Sequence, residues 1–318
     1  MKRSDRGAVL DLLEHAFGIR GLFERYMDFD PEFSYENVLL AEAGESPVAC
    51  VQLFRKTIRL RGKAFRLGGI GSVATHASQR GVGLASDLLE HMLERMRAQE
   101  MVLSLLFAAP VAPLYEKLGW RKIQAPLLRL SRTVPVPESD SEEEVEVGRE
   151  FRPSDLDRVR ALYDAFTAPL SGPTIRDARY WRGQLRTAGT PHEVFRLMER
   201  GEAIDAYVRS ASFLGRMRVL EYARGPEGAE SLAELLTAAI PLTHPLYLPY
   251  VRDAELAAAL ERRGVAIQLA ADPSPMWRVL EPQPLAAAAQ LPREASDTTL
   301  LETLIAQPPA TYFPSDRF

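Results

Sequence analysis

The sequence predicts an α+β fold made of two similarly planned units and a short C-terminal extension, on three observations. The glycine-rich, β-prone run Leu67–Thr75 leads into the turn Arg80-Gly81-Val82-Gly83-Leu84-Ala85, after which Leu84, Leu88, Leu89, Met92 and Met96 recur at helical spacing. That helix is followed by Met101–Phe107, a nearly continuous apolar run of the kind seen in strands buried on both faces. Beyond an acidic stretch, the same order of strands and helices restarts at Val147.

Within the first unit, Ala8–Phe17 and Leu22–Met27 read as helices. Asn37–Glu42 and Val48–Arg55 read as strands joined by a turn at Ala43-Gly44-Glu45-Ser46-Pro47. Thr57–Leu60 and Ala64–Leu67 flank the hairpin-like turn Arg61-Gly62-Lys63. Ala112–Trp120 reads as a short helix with Pro113 in its first turn and Gly119 as its stop, and Arg121–Leu130 as the closing strand. Pro135–Glu146, with six acidic residues after Pro-Val-Pro, is simplest as a solvated linker. The expected division is therefore 1–134, an acidic linker at 135–146, a second unit at 147–274 and an extension at 275–318.

In the second unit, a strand at Arg149–Phe151 precedes a helix capped by Ser154 or Asp155. Val194–Glu199 and Ala203–Arg209 read as a hairpin, Met217–Ala223 as a strand and Ser231–Ala239 as a helix. Its counterpart to the glycine turn, Arg224-Gly225-Pro226-Glu227-Gly228, lacks the same spacing and puts proline and glutamate where amide donors would meet an anion. In the extension, Met276–Leu280 reads as a strand and Leu300–Ala306 as a helix, while six prolines between Pro282 and Pro314 restrict the rest to extended or turning backbone.

Composition fits a soluble enzyme. The 318 residues are 46% hydrophobic and 26% charged, ordinary for globular chains, and no apolar stretch approaches a membrane span. The N-terminal residues lead into an amphipathic helix rather than a signal-type apolar core, so a cytoplasmic location is expected. A net charge of −4 argues against nucleic acid as the main partner. The single cysteine, Cys50, lies in an apolar run and suits core packing in a reducing compartment. His15, His91, His192 and His244 show no ligand spacing, so no metal is expected.

A glycine turn opening a helix aims unpaired N–H groups outward, where the helix dipole adds partial positive charge; this is an anion cradle, and pyrophosphate is a common occupant. The order strand, R-x-x-G-x-A turn (Arg80, Gly83, Ala85), helix, strand, then Tyr115 four residues before Gly119-Trp120, resembles the GNAT superfamily of N-acetyltransferases over roughly Ala41–Leu130. Two such units and a final phenylalanine resemble, within it, the Eis (enhanced intracellular survival) acetyltransferases, whose third, sterol-carrier-like domain would here be sharply abbreviated. The resemblance implies tandem GNAT folds, each a mixed, splayed central sheet flanked by helices, with the second degenerate, and acetyl-CoA as co-substrate.

It also implies site roles. Arg80, Gly81, Gly83, Leu84 and Ala85 would hold the pyrophosphate. The backbone of Val73 and Thr75 would bind the pantetheine arm and the thioester oxygen. Tyr115, whose phenol ordinarily titrates near pH 10, would protonate the departing thiolate; the alternative is a ring packed beneath its helix. In Eis-like enzymes the terminal carboxylate acts as base, which points to Phe318 through its main chain, with His76 as another candidate. Asp28, Asp30 and Glu32 match a connection lining the acceptor cleft. The expected acceptor is a primary amine on a small molecule, of aminoglycoside or polyamine-like type. A protein or peptide amine, or a non-catalytic acyl-CoA-binding module, are the alternatives, and self-association is expected by family analogy.

Overall fold

The computed structural model describes residues 1–108, 111–133, 147–187, 193–213 and 216–318. The acidic stretch 135–146 and His192 lie outside these residues. The first half runs α1 (Arg6–Phe17), α2 (Arg20–Phe29), β1 (Val38–Ala43), β2 (Ser46–Leu60), β3 (Lys63–Thr75), α3 (Leu84–Ala98), β4 (Leu103–Phe107), α4 (Ala112–Lys117), β5 (Arg121–Lys122) and β6 (Ala125–Arg132). The second runs β7 (Arg149–Glu150), α5 (Leu156–Thr167), α6 (Ala178–Thr187), β8 (Val194–Arg200), β9 (Ala203–Phe213), β10 (Arg216–Arg224), α7 (Ala229–Ala239), β11 (Leu246–Pro249), α8 (Ala254–Arg262) and β12 (Val265–Asp272). Then follow β13 (Pro275–Val279), α9 (Pro282–Ala289) and α10 (Asp297–Leu304).

Two mixed sheets result, with orders β1-β2-β3-β4-β13-β5 and β12-β6-β11-β10-β9-β8-β7. In each, one parallel pair is bridged by a helix: β3-α3-β4 in the first and β10-α7-β11 in the second. The units are interlocked by reciprocal strand exchange. β6, expected to close the first sheet, instead pairs with β11 and β12 of the second, while β13 enters the first sheet between β4 and β5. Both exchanged strands carry buried apolar residues, Leu130 in one and, on opposite faces, Met276 and Trp277 in the other, so local pattern cannot tell which sheet receives them.

The short strands expected on either side of Lys56 fuse into the single long β2, and the runs meeting at Leu67 fuse into β3. The extension departs from expectation at 282–289. Pro282 and Pro284 lie in the first turn of α9, where a missing N–H costs no helical hydrogen bond. Among the described residues no helix is long and apolar enough to cross a membrane, and no group of three or more His, Cys, Asp or Glu is placed to hold a metal ion.

The first sheet is covered on both faces. Alternate side chains Ala49, Val51, Leu53 and Ile70 pack on α3, with Leu88, Leu89, Met92 and Met96 facing them. On the other face two helix pairs share the surface. α1 and α2 cover Cys50 and Ala74, and α9 and α10 cover Ile58, Leu67, Leu105 and Trp277. The gap between those pairs positions the site.

Candidate active site

The glycine turn forms as the residues require. Gly81 and Gly83 have φ of +83° and +98°, the left-handed region that a side chain disfavours, and Gly83 caps α3 by accepting from the N–H groups of Ser86 and Asp87. Among the described residues, no carbonyl or side chain takes the N–H of Gly81, Val82, Gly83, Leu84 or Ala85. Arg80 is exposed, and its Nε donates to the Thr75 carbonyl at 3.2 Å, tying the turn to the end of β3. The corresponding turn in the second unit is filled from within. The N–H of Gly225 donates to the Asp205 carbonyl at 2.8 Å, a Cβ on Gly228 would lie 2.3 Å from that same oxygen, and Arg224 is held by Asp253.

β3 then opens away from β4. Their parallel pairing covers Leu67–Leu103, Gly68–Ser104 and Gly69–Leu105 and ends there. From Ile70 to Thr75, β3 keeps β2 on one side only, so the backbone of Val73 and Thr75 faces the wedge on the other. A bulge bends this stretch. Cys50 pairs with Ala74 and Gln52 with Gly71, leaving Ser72 and Val73 opposite the single residue Val51, with Ser72 at φ +51°. Two side chains lock it: Ser72 Oγ donates to Gln52 Oε1 at 3.0 Å, and the Cys50 thiol donates to the Ser72 carbonyl at 3.2 Å. Cys50 packs in the core under α1 and α2, and burial pushes its thiol up to about 12. Sequence reasoning missed Gln52 and Ser72. Glycines 69 and 71 inside a strand were the available signal for a bulge.

Tyr115 lies on α4, on the α3 side of the sheet. It is 5% exposed, edge-on to Trp120 with ring centroids 6.1 Å apart, and its carbonyl accepts from the N–H groups of Leu118 and Trp120 as the helix ends. Burial pushes its phenol up to about 12.

The tail enters from the opposite face. The Phe318 ring stacks on Phe54 with centroids 5.2 Å apart and stands 5.6 Å from Phe107. It lies so close to β3 that a Cβ on Gly69 would be 2.3 Å from it, and the main-chain carboxyl carbon would be 3.3 Å from a Cβ on Gly71. Charges buried in the second unit fix this approach. Arg176, 3% exposed, bonds Asp316 through two nitrogens at 3.1 and 2.6 Å, Glu221 at 2.5 Å and Ser315 Oγ at 3.0 Å. Tyr180 donates to Asp316, Ser315 donates to Glu221 and Gln184 donates to the Ser315 carbonyl. Burial opposes ionisation of Glu221, but Arg176 and Arg209 hold its carboxyl below the usual range.

Between the tail and α2 lies a narrow recess lined by Tyr26, Asp30, Phe54, Lys56, Tyr180 and Phe318. Of the three acids expected at the acceptor cleft, Asp30 lines the recess, with its carboxylate 3.6 Å from Lys56 Nζ. Asp28 pairs with Arg6 at 2.8 Å and Glu32 with Arg55 at 3.1 Å. His76 is exposed and caps a short turn, its Nδ1 2.8 Å from Ser78 Oγ.

Residues 1–123 match the family described as acetyltransferase (GNAT) domain. That match falls on the first unit and covers less than half of the chain. No curated protein matches the chain. Among solved structures, the chain is similar to a GCN5-related N-acetyltransferase from Kribbella flavida, at 20% identity and a TM-score of 0.68, over 91% of this chain and 73% of that one. It is also similar to Eis1 from Mycobacterium abscessus, at 15% identity and 0.57, over 85% and 73%. A third is N-myristoyltransferase of Saccharomyces cerevisiae with bound myristoyl-CoA, at 14% and 0.56, over 87% and 78%. At these identities the likeness is one of fold, and that fold is two GNAT-like units in tandem.

Proposed function

We propose that the protein is an acyl-CoA-dependent N-acyltransferase, with acetyl-CoA as donor and a small primary amine as acceptor, joined in a ternary complex. One observation supports the reading: unclaimed amides at Gly81–Ala85 stand at one end of an opened β3–β4 wedge, with the buried Tyr115 on one face of the sheet and the recess beside Asp30 and Phe318 on the other.

The pyrophosphate would sit on the amides of Gly81, Gly83, Leu84 and Ala85, with Arg80 adding charge. The backbone of Val73 and Thr75 would hold the donor's arm and its thioester oxygen. One N–H aimed at that oxygen as charge develops is worth about 3 kcal/mol of barrier. Tyr115, kept protonated by burial, would donate its proton to the sulfur as negative charge forms there. On the acceptor side, the Phe318 carboxylate orients the amine, which arrives already deprotonated or gives up its proton through water. Asp28, Asp30 and Glu32 each already have a cation partner, and that pairing favours a singly charged amine over a polycation such as an aminoglycoside.

Replacing Tyr115 with phenylalanine tests the acid role. Turnover should fall about 10²-fold or more while calorimetric affinity for coenzyme A stays within about twofold. Unchanged turnover removes Tyr115 from that role, and absence of any coenzyme A binding by the native protein overturns the whole reading.

A further inference from the structure

The Phe318 ring sits at the closed end of the wedge, where the β3–β4 pairing stops. β3 and β4 part after Gly69 and Leu105, and the ring bridges the two arms just at that parting, lying on Gly69 of β3 and 5.6 Å from Phe107 of β4. Phe54 closes the third side by stacking at 19° to the ring, and Tyr312 stands edge-on to it at 6.5 Å. Gly69 allows this closeness, because any side chain there would overlap the ring.

The ring is also held from behind. Two and three residues upstream, Asp316 and Ser315 are bound by the buried Arg176, and the Asp316 carbonyl accepts from the Tyr312 hydroxyl at 2.9 Å. Arg317 pairs with Asp272 and places its guanidinium 4.4 Å from the Phe107 ring centre. An aromatic ring packed on three sides and tethered by a buried ion network is a rigid stop rather than a swinging side chain.

We infer that Phe318 is a specificity-determining residue that limits the donor to short acyl groups, its ring ending the acyl site about where an acetyl methyl would lie. This rests on the proposed acyl-CoA reading and adds the chain-length class. Extra methylenes would have to displace a packed ring, and one misfitted methylene in an apolar pocket commonly discriminates by about 10-fold or more.

The test uses non-reactive thioether analogues of acetyl-, butyryl- and hexanoyl-CoA, with coenzyme A itself as reference, titrated calorimetrically into the native protein and into Phe318→Leu and Phe318→Ala. The native protein should bind the hexanoyl analogue at least about 10-fold more weakly than the acetyl analogue. Phe318→Ala should abolish or reverse that ratio, Phe318→Leu should give an intermediate value, and coenzyme A affinity should hold throughout. General damage to the fold would weaken all four ligands together, and a fallen melting temperature would expose it; the leucine variant, which keeps most of the apolar contact, then decides. Equal native affinity for acetyl and hexanoyl analogues, or full discrimination retained in the variants, overturns the chain-length inference while leaving the acyltransferase reading in place. Failure of the native protein to bind coenzyme A overturns both.

Discussion

The acid role proposed for Tyr115 carries a prediction about pH. Because burial raises its phenol to about 12, the acid form persists through and well beyond neutrality. The rate should therefore rise with pH as the acceptor amine loses its proton, and show no falling limb from Tyr115 below about pH 11. A descending limb near pH 8 that vanishes in Tyr115→Phe would contradict this. Gly83 gives a second residue-scale prediction. Its φ of +98° makes Gly83→Ala strained by about 1–2 kcal/mol, enough to weaken coenzyme A binding by roughly 10-fold if the strain is relieved by closing the turn. Calorimetry beside a melting curve separates lost affinity from lost fold. The turn was legible in the sequence because Gly81, Gly83 and the apolar spacing of α3 are all local. The Arg176–Glu221–Asp316 cluster was not, since its partners lie 45 and 140 residues apart and none differs in its neighbourhood from a surface charge.

At the scale of elements, the start of α5 is a compact example of charge serving structure. Asp155 accepts from two nitrogens of Arg149, from Arg158 and from the N–H of Arg152, and Glu199 closes the same cluster. Hydrogen bonds from Arg149 come first in holding both carboxyls low, Glu199 to about 2. A carboxyl depressed in the folded state stabilises it fully above the ordinary carboxylate range and loses that contribution as pH falls toward its folded value. Thermal stability should thus be flat from pH 7 to about 5 and fall between about 4 and 2. Asp155→Asn should cost about 1–3 kcal/mol at neutral pH and shallow that acid slope, checked by urea denaturation at several pH values. Sequence expected Ser154 or Asp155 to cap this helix; Asp155 does stand just before α5, but its carboxylate takes the N–H of Arg152 upstream and no amide of the helix. Sequence reasoning did not find the Ser72 bulge, whose side-chain partner Gln52 lies on the adjoining strand 20 residues away.

For the molecule as a whole, the exchange of β6 and β13 decides how the units behave. Each sheet lacks a strand unless the other half of the chain is present, so the two should unfold together. Single-tryptophan variants reporting from Trp120 or Trp277 in the first half's core and Trp181 in the second should give one coincident urea transition. Separate midpoints would mean that the exchanged strands do not couple the units. A fragment ending at 134 should not fold stably, since the β4 edge that receives Pro275–Val279 would lie bare. The two-unit plan was readable from the recurrence of strand-turn-helix order; the exchange was not, because Leu127, Leu128 and Leu130 suit a strand in either sheet.

That interlacing also sets a clock for biosynthesis. Nascent chains ordinarily finish an N-terminal domain while later residues are still being made, at about 5–20 residues per second. Here the first sheet waits for Val279, roughly 150 residues after β5 has left the ribosome, before its centre can close. For some tens of seconds or less, the apolar inner edge of β4 has no native neighbour, a window in which chaperone engagement is the natural safeguard.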